Sequence, residues 1–316
     1  MSMLSYNSRM ASGLPTRRLG RTGEQVSILG LGGAHAGRIG QKDRQQAIRL
    51  MHTAIDGGVN FFDNAWDYHD GWGEEMMGIG LSGGWRERAF LMTKNCAPDY
   101  DGSRKCLEDS LRRLKTDRVD LWQFHEMNYD NDPDWVFEKG GLKYALEAVK
   151  AGKVRHIGFT GHKDPRIHLQ MLAKPYPWAT AQMPINVMDA FYRSFQNQVV
   201  PVCVAKDVGV IGMKSLGGGQ VTARIPSQTK ITAEQCVRFA LSLPVSTLVR
   251  GYMSVGQLEQ DLRIAREFKP LSPAEKAGIL ELAKPEAGDG RHELFKSTQM
   301  FDGAPHRALH GFELAD

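Results

Sequence analysis

The sequence of 316 residues has few cysteines and no long apolar run. Its four cysteines show no C-x-x-C spacing, which argues against a zinc site or a disulfide framework and favours reduced thiols in a cytoplasmic protein. No stretch approaches the roughly 18 apolar residues of a membrane-spanning helix. An apolar run is also missing after the pair Arg17 and Arg18, so we expect neither a membrane anchor nor an export signal.

An excess of charge of one sign is missing as well. The 40 basic residues and 36 acidic residues give a net charge of +4, and no basic run interleaved with aromatic residues is present. Nucleic acid is therefore not expected as a partner. A hydrophobic content of 41% and a charged content of 24% are typical of a globular protein with a full core.

Short apolar runs alternate with amphipathic stretches from residue 28 onward. Eight of these runs predict buried strands, over residues 28–32, 60–65, 89–94, 119–125, 154–160, 178–184, 208–214 and 245–251. Near-continuous apolar runs are typical of parallel strands. A doubly wound sheet would show a G-x-G-x-x-G fingerprint after its first strand, which is absent here. We therefore predict an α/β fold with a single (β/α)8 TIM barrel.

The whole chain, residues 1–316, is predicted to form one domain with additions to the barrel. Residues 16–29 predict a β-hairpin that caps the closed end of the barrel. Residues 271–283 predict an extra helix after the eighth barrel helix. The N-terminal residues 1–14 and the C-terminal tail, residues 286–316, are predicted to be irregular.

Four ionisable residues lie where consecutive strands end. Asp63, Lys94 and His125 close the second, third and fourth strands, and Tyr68 lies in the loop after the second. Strand ends meet at one mouth of a barrel, so these side chains are expected to converge. The Lys94 cation would favour the phenolate of Tyr68, and the Asp63 carboxylate would keep that lysine charged. A neutral His125 could donate a hydrogen bond to a substrate oxygen.

The stretch 63–68, DNAWDY, resembles the D-x-A-x-x-Y motif of the aldo-keto reductases, and the segments MTK and FHE are similar to the lysine and histidine segments of that family. The resemblance covers nearly the whole chain. It implies an oxidoreductase that transfers a hydride between NADP(H) and an aldehyde or ketone. In this reading Tyr68 is the general acid and base, Lys94 and Asp63 tune it, and His125 orients the carbonyl.

The same resemblance implies that a nicotinamide dinucleotide lies across the barrel mouth. Its carboxamide would contact Gln182 and the segment of Thr160 and Gly161, where the family usually has a Ser-Asn pair. Met213 stands where many relatives have an aromatic residue that stacks on the nicotinamide. Lys214 and Leu216 begin a glycine-rich loop that suits a phosphate.

The segment after the eighth strand resembles the family segment that binds the adenosine phosphates. The matching positions are Gly251, Met253, Gln257 and Asp261. Relatives that prefer NADP(H) usually offer a basic residue here, and Arg250 is the only cation near this segment in the sequence. We expect NADP(H), with NAD(H) as the alternative.

Loops after the first, second and fourth strands are expected to wall the substrate pocket. They supply His35, Trp66 and Met127, with Trp72 and Asn128 nearby. Such walls suit a small-molecule carbonyl with an apolar body. No metal ligand set is expected, and the sequence makes no prediction of oligomeric state.

Two other functions stay open at this point. One is a barrel aldolase that forms a Schiff base through Lys94, although Asp63 would keep that amine protonated and so oppose nucleophilic attack. The other, which the family resemblance implies, is a non-catalytic nicotinamide-binding protein similar to channel β subunits.

Overall fold

The structure, a computed structural model, describes residues 13–218 and 223–314. The predicted hairpin is present as antiparallel strands β1 (Thr16–Arg18) and β2 (Gln25–Ser27). Its apolar residues Leu19 and Val26 are fully buried together with side chains from inside the barrel. The hairpin therefore closes one end of the barrel. Of the N-terminal segment predicted as irregular, residues 1–12 lie outside the described part of the chain.

All eight predicted strands form a closed parallel barrel, which confirms the (β/α)8 fold. The barrel strands are β3 (Leu29–Gly32), β4 (Phe61–Asp63), β5 (Phe90–Asn95), β6 (Val119–Phe124), β7 (Val154–Thr160), β8 (Thr180–Pro184), β9 (Gly209–Met213) and β10 (Thr247–Arg250). They pair in sequence order, and β10 closes the ring on β3. Large apolar side chains such as Phe61, Met92 and Ile211 fill the interior, so the barrel is a packed core below its mouth.

Helices cover the outside of the barrel and follow nearly every strand. Their bounds are α1 (Gly33–Lys42), α2 (Arg44–Asp56), α3 (Trp72–Gly80), α4 (Tyr100–Leu114), α5 (Asp132–Glu138), α6 (Gly141–Lys150), α7 (Pro165–Ala173), α8 (Phe195–Gln198), α9 (Val200–Ala205), α10 (Arg224–Gln228), α11 (Ala233–Leu241), α12 (Val255–Arg266), α13 (Pro273–Ala283), α14 (Leu294–Ser297) and α15 (Ala304–Leu309). Within residues 13–218 and 223–314, no helix is long and apolar enough to cross a membrane.

The C-terminal region differs from the prediction in one respect. The predicted extra helix is present as α13, and Ser272 and Glu275 form a capping box at its beginning. The tail was predicted to be irregular, but it forms the short helices α14 and α15. Lys296 on α14 is fully buried and ion-paired with Asp189, 2.6 Å away, and with Glu293, 2.8 Å away. This buried charge cluster fixes the tail to the barrel, and no local pattern of the tail sequence reveals it.

Candidate active site

Asp63, Lys94 and Tyr68 meet at the mouth of the barrel. The Lys94 ammonium is ion-paired with Asp63, donates to the carbonyl oxygen of Asn64 at 2.7 Å, and lies 3.3 Å from the Tyr68 hydroxyl. Lys94 and Asp63 are almost completely buried. Burial alone would lower the pKa of Lys94, but the Asp63 carboxylate and the Tyr68 hydroxyl together outweigh it and raise that pKa. The lysine is therefore a fixed cation beside the phenol.

A turn held by backbone hydrogen bonds places Tyr68 over the mouth of the barrel. The Tyr68 amide donates to the carbonyl of Ala65, and the Tyr68 carbonyl accepts from the amide of Gly73. Burial raises the pKa of the Tyr68 phenol, and the Lys94 cation offsets only part of this rise. The expected net shift toward the phenolate is thus not seen, because desolvation of the charged form is the larger effect. Tyr68 is a protonated donor at neutral pH.

His125 lies next to Tyr68, with the two ring planes at 75° to each other and the ring centres 5.9 Å apart. Its amide continues the pairing of β6 with β5 by donating to the carbonyl of Asn95. Burial lowers the pKa of His125, and the nearby Asp67 carboxylate offsets this only in part, so the imidazole is neutral at pH 7. Its Nδ1 atom lies 3.3 Å from Oδ1 of Asp67 and 3.4 Å from Sγ of Cys96.

A buried acceptor beside these residues fits the carboxamide of a nicotinamide dinucleotide. The Gln182 amide donates to Asp63 through Nε2, while its Oε1 is buried with no hydrogen-bond partner among residues 13–218 and 223–314. An amide N–H of the cofactor would satisfy that oxygen. Thr160 ends β7 and is buried. Gly161 passes so close to Met127 that a Cβ atom would lie 2.3 Å from the Met127 carbonyl oxygen, which explains glycine at this position.

The loop after β9 offers a cation and a hydroxyl. Lys214 is half-buried, and burial lowers its pKa to about 8. Its ammonium lies over the rings of Phe295 and Phe301 from the tail. The hydroxyl of the adjacent Ser215 is buried and makes no hydrogen bond to any residue that the structure describes, which suits a phosphate oxygen. Met213 and Leu216 flank this pair and are partly buried. The predicted loop extends to Gly219, which lies outside the described residues.

The segment after β10 is built around the beginning of α12. Ser254 caps the helix by accepting from the amide of Gln257, and the Gln257 side chain accepts from the amide of Met253. Arg250 is ion-paired with Asp261 over 2.8 Å. Met253 and Gln257, two of the predicted cofactor positions, therefore contact each other. Asp261, a third predicted position, is the ion-pair partner of Arg250. The arrangement orders this helix terminus before any phosphate arrives.

Residues 28–235 match the Aldo/keto reductase family. The chain belongs to this family. A 6-dehydroglucose reductase of Novosphingobium aromaticivorans is 30% identical over 254 residues, which cover 75% of this chain and 80% of that protein. An L-galactose dehydrogenase of Arabidopsis thaliana is 26% identical, with 81% of this chain and 89% of that protein covered.

Solved structures agree with the barrel. A holo-form aldo-keto reductase from Bacillus halodurans aligns with a TM-score of 0.72 at 23% identity, over 89% of this chain and 100% of that chain. The glycerol dehydrogenase of Gluconobacter oxydans aligns with a TM-score of 0.69 at 22% identity, over 88% of this chain and 97% of that chain. At these identities the likeness concerns the fold.

The residues predicted to wall the substrate pocket of this aldo-keto reductase lie in different surroundings in the structure. Met127 lines a small cavity next to His125, together with Phe124 and with Leu309 from the tail. Trp66 packs instead against α4, where its indole donates to Asp109 and the Arg113 guanidinium lies over the ring. Trp66 therefore holds α4 in place.

His35 and Trp72 also lie away from that cavity. The His35 ring packs against Gly251, where an added Cβ atom would lie 2.0 Å from Nδ1 of the histidine. Burial, with Arg38 and Arg250 nearby, lowers the pKa of His35 to about 4. Trp72 donates to the carbonyl of Gly37 on α1. His35 is thus placed beside the segment that follows β10.

The tail supplies Asp302, which the sequence analysis missed. Asn128 and Tyr129 donate to its carboxylate at 3.2 Å and 2.7 Å, and the His162 ring nitrogen lies 3.1 Å from it. Burial would raise the pKa of Asp302, but the hydrogen bond with His162 helps to hold it at about 2. Its partners are 140 to 174 residues away in the chain, so no local pattern could reveal them.

Glu126 is a second residue that was missed, although it stands in the recognised FHE segment. Both of its carboxylate oxygens accept from the amide of Gly303 in the tail, at 3.0 Å and 2.9 Å. Burial, together with the nearby Asp67 and Asp302 carboxylates, raises the pKa of Glu126 well above its usual value. Glu126 and Asp302 together hold the tail against the segment that follows β6.

Proposed function

We propose that this protein transfers a hydride between NADP(H) and an aldehyde or ketone, with Tyr68 as the general acid and base. The observation that carries the proposal is the position of the Lys94 ammonium, which is ion-paired with Asp63 and 3.3 Å from the Tyr68 hydroxyl. A buried cation fixed in this place stabilises a phenolate that forms during the reaction more than it stabilises the phenol beforehand.

The proton steps follow from this arrangement. In the reducing direction NADPH supplies the hydride when bound. Tyr68 gives its proton to the carbonyl oxygen, and Lys94 stabilises the phenolate that remains. His125 is neutral and lies beside Tyr68, where it would orient the carbonyl. In the oxidising direction the same phenolate takes the proton of the alcohol.

Each part of the cofactor has a candidate partner. The Gln182 Oε1 would accept from the carboxamide, with Thr160 and Gly161 next to it. Met213 would pack against the nicotinamide ring, Lys214 and the Ser215 hydroxyl would contact phosphate oxygens, and Leu216 would pack beside these two residues. The additional phosphate of NADP(H) would bind near Arg250, which Asp261 orients. The remaining positions, Gly251, Met253 and Gln257, would surround the adenosine end.

The substrate we propose is a small carbonyl that carries hydroxyl groups. Two relatives are named for sugars, a 6-dehydroglucose reductase and an L-galactose dehydrogenase. The cavity beside His125 combines the apolar side chains of Met127 and Phe124 with the polar side chains of Asn95 and Asp132. Hydroxylated carbonyls should therefore be turned over in preference to aliphatic aldehydes of similar size.

The test is steady-state and single-turnover oxidation of NADPH and of NADH with a panel of aliphatic, aromatic and hydroxylated carbonyls. Tyr68→Phe should lower the single-turnover rate by about 10²- to 10⁴-fold and leave NADPH binding unchanged. Tyr144→Phe is the matched control, because this tyrosine lies on α6 and its hydroxyl is near Glu108. Its rate should equal that of the wild type.

Three outcomes would contradict the proposal. A wild-type protein that binds the cofactor and is inert across the panel would support the non-catalytic function. A borohydride-trapped adduct on Lys94 would support the Schiff-base function. Full single-turnover activity of Tyr68→Phe would remove the acid and base role from that residue.

A further inference from the structure

We propose that Asp67, Cys96 and His125 form a three-ligand site for Zn²⁺ beside Tyr68. Oδ1 of Asp67, Sγ of Cys96 and Nδ1 of His125 all lie within 4.8 Å of one another. The three residues come from the loop after β4, the loop after β5 and the end of β6. Absence of a C-x-x-C pattern led us to expect no zinc site, but that expectation considered only ligands that are close in sequence.

The distances suit a tetrahedral ion. Nδ1 of His125 is 3.3 Å from Oδ1 of Asp67 and 3.4 Å from Sγ of Cys96. Zinc binds imidazole nitrogen and carboxylate oxygen at about 2.0–2.2 Å and thiolate at about 2.3 Å, so tetrahedral ligand atoms are spaced about 3.3–3.6 Å apart. Two of the three ligand-atom separations therefore match a tetrahedral site, and the third, between Asp67 and Cys96, is at most 4.8 Å.

An unsatisfied atom points to a ligand at this place. Within the part of the chain that the structure describes, Oδ1 of Asp67 is buried and accepts no well-formed hydrogen bond, although Nδ1 of His125 lies 3.3 Å away. The side chains of His125 and Asp67 are only 10% and 12% exposed. A carboxylate oxygen withdrawn from water without a partner is unfavourable. A cation at the centre of the three atoms would satisfy it.

The ligand types select the metal. A thiol, an imidazole and a carboxylate together favour zinc over magnesium or calcium, which prefer oxygen ligands alone. Three protein ligands leave a fourth position for water, next to a cavity that Cys96 and His125 line. Binding would release the thiol proton of Cys96 to solvent and form the sulfur–zinc bond.

Metal binding would also determine which ring nitrogen of His125 carries the proton. If Nδ1 binds the ion, the ring proton of the neutral imidazole resides on Nε2. The histidine would then be a fixed hydrogen-bond donor through Nε2. This consequence concerns the same histidine as the proposed reduction, but the zinc site itself does not depend on turnover.

The test uses the full chain, incubated with Zn²⁺ or Co²⁺ and passed through a desalting column. We expect one ion per chain by elemental analysis, and a thiolate-to-cobalt charge-transfer band with Co²⁺. The band should disappear in Cys96→Ser and persist in Cys203→Ser, a matched control because Cys203 is also a free cysteine and lies away from the mouth on α9. Zinc should also slow alkylation of Cys96 in the folded wild-type protein.

Two results would overturn the site. One is the absence of any retained ion in the folded wild type. The other is an ion retained by Cys96→Ser but lost in His306→Gln, because Asp132, His306 and His310 form a second cluster with suitable ligand atoms. Circular dichroism of each variant confirms folding, and Asp67→Asn, which keeps the size of the side chain, gives an independent loss of affinity if Cys96→Ser does not fold. None of these readouts requires carbonyl reduction.

Discussion

The side-chain amide of Gln182 donates a hydrogen bond to Oδ2 of Asp63 over 2.6 Å. The other oxygen of that carboxylate is ion-paired with Lys94. One buried carboxylate therefore orients both the lysine next to Tyr68 and the amide proposed to hold the nicotinamide. Because Nε2 of Gln182 is used by Asp63, its Oε1 is left as the acceptor for the cofactor.

This relationship predicts the effect of Gln182→Leu. Loss of one hydrogen bond to the carboxamide should weaken NADPH binding by about tenfold, or about 1.4 kcal/mol. Quenching of tryptophan fluorescence by NADPH measures the dissociation constant. Gln123→Leu is the control, because Gln123 is also buried and donates to Thr180 over 2.8 Å, but it is not among the residues proposed to contact the cofactor. Equal weakening in both variants would contradict the assignment.

A second prediction separates stability from catalysis at the ion pair. Lys94→Met leaves the Asp63 carboxylate buried without its cation and should lower the free energy of unfolding by about 3–5 kcal/mol. The double variant Asp63→Asn with Lys94→Met removes the buried charge and should regain most of that loss. Activity should stay about 10²- to 10⁴-fold low in both variants.

Urea denaturation followed by circular dichroism, together with single-turnover rates, tests this pair. Activity that returns along with stability in the double variant would show that Lys94 acts only as a structural cation. Asp63→Asn alone is the control, because it should also leave a buried charge, now on the lysine.

Local pattern was sufficient for the barrel and for the meeting of Asp63, Lys94 and Tyr68 at its mouth. Apolar runs define each strand, and Asp63, Lys94 and His125 are at or just beyond the ends of such runs, so barrel geometry determines where they meet. Trp66 could not be placed in this way. The direction of a loop side chain depends on what it packs against, here Lys105 and Arg113 of α4. Asp302 was unpredictable for a related reason, because all of its partners come from distant segments.

The tail is predicted to depend on Lys296. Lys296→Met leaves Asp189 and Glu293 as two unpaired buried carboxyl groups, which should cost about 3–5 kcal/mol and detach α14 and α15 from the barrel. Limited proteolysis should then cleave within residues 286–316 at low protease concentration, while far-ultraviolet circular dichroism changes little. Lys284→Met is the control, because Lys284 is exposed. Equal resistance of both variants to protease would contradict this role.

The last prediction concerns the pH dependence of cofactor binding. Burial lowers the pKa of Lys214 to about 8, so its ammonium is charged below that pH and neutral above it. If Lys214 contacts a cofactor phosphate, the dissociation constant of NADPH should be nearly constant below about pH 8 and rise above it. A charge-assisted hydrogen bond of about 1.5–3 kcal/mol predicts a total rise of about 10- to 100-fold.

Two substitutions isolate this residue from other groups that titrate in the same range. Lys214→Arg keeps its charge at all pH values used, so the rise above pH 8 should disappear while affinity is retained. Lys214→Met should bind weakly throughout and show no rise. A rise of unchanged size in Lys214→Arg would assign the titration to another group, because an arginine side chain does not lose its proton in this range.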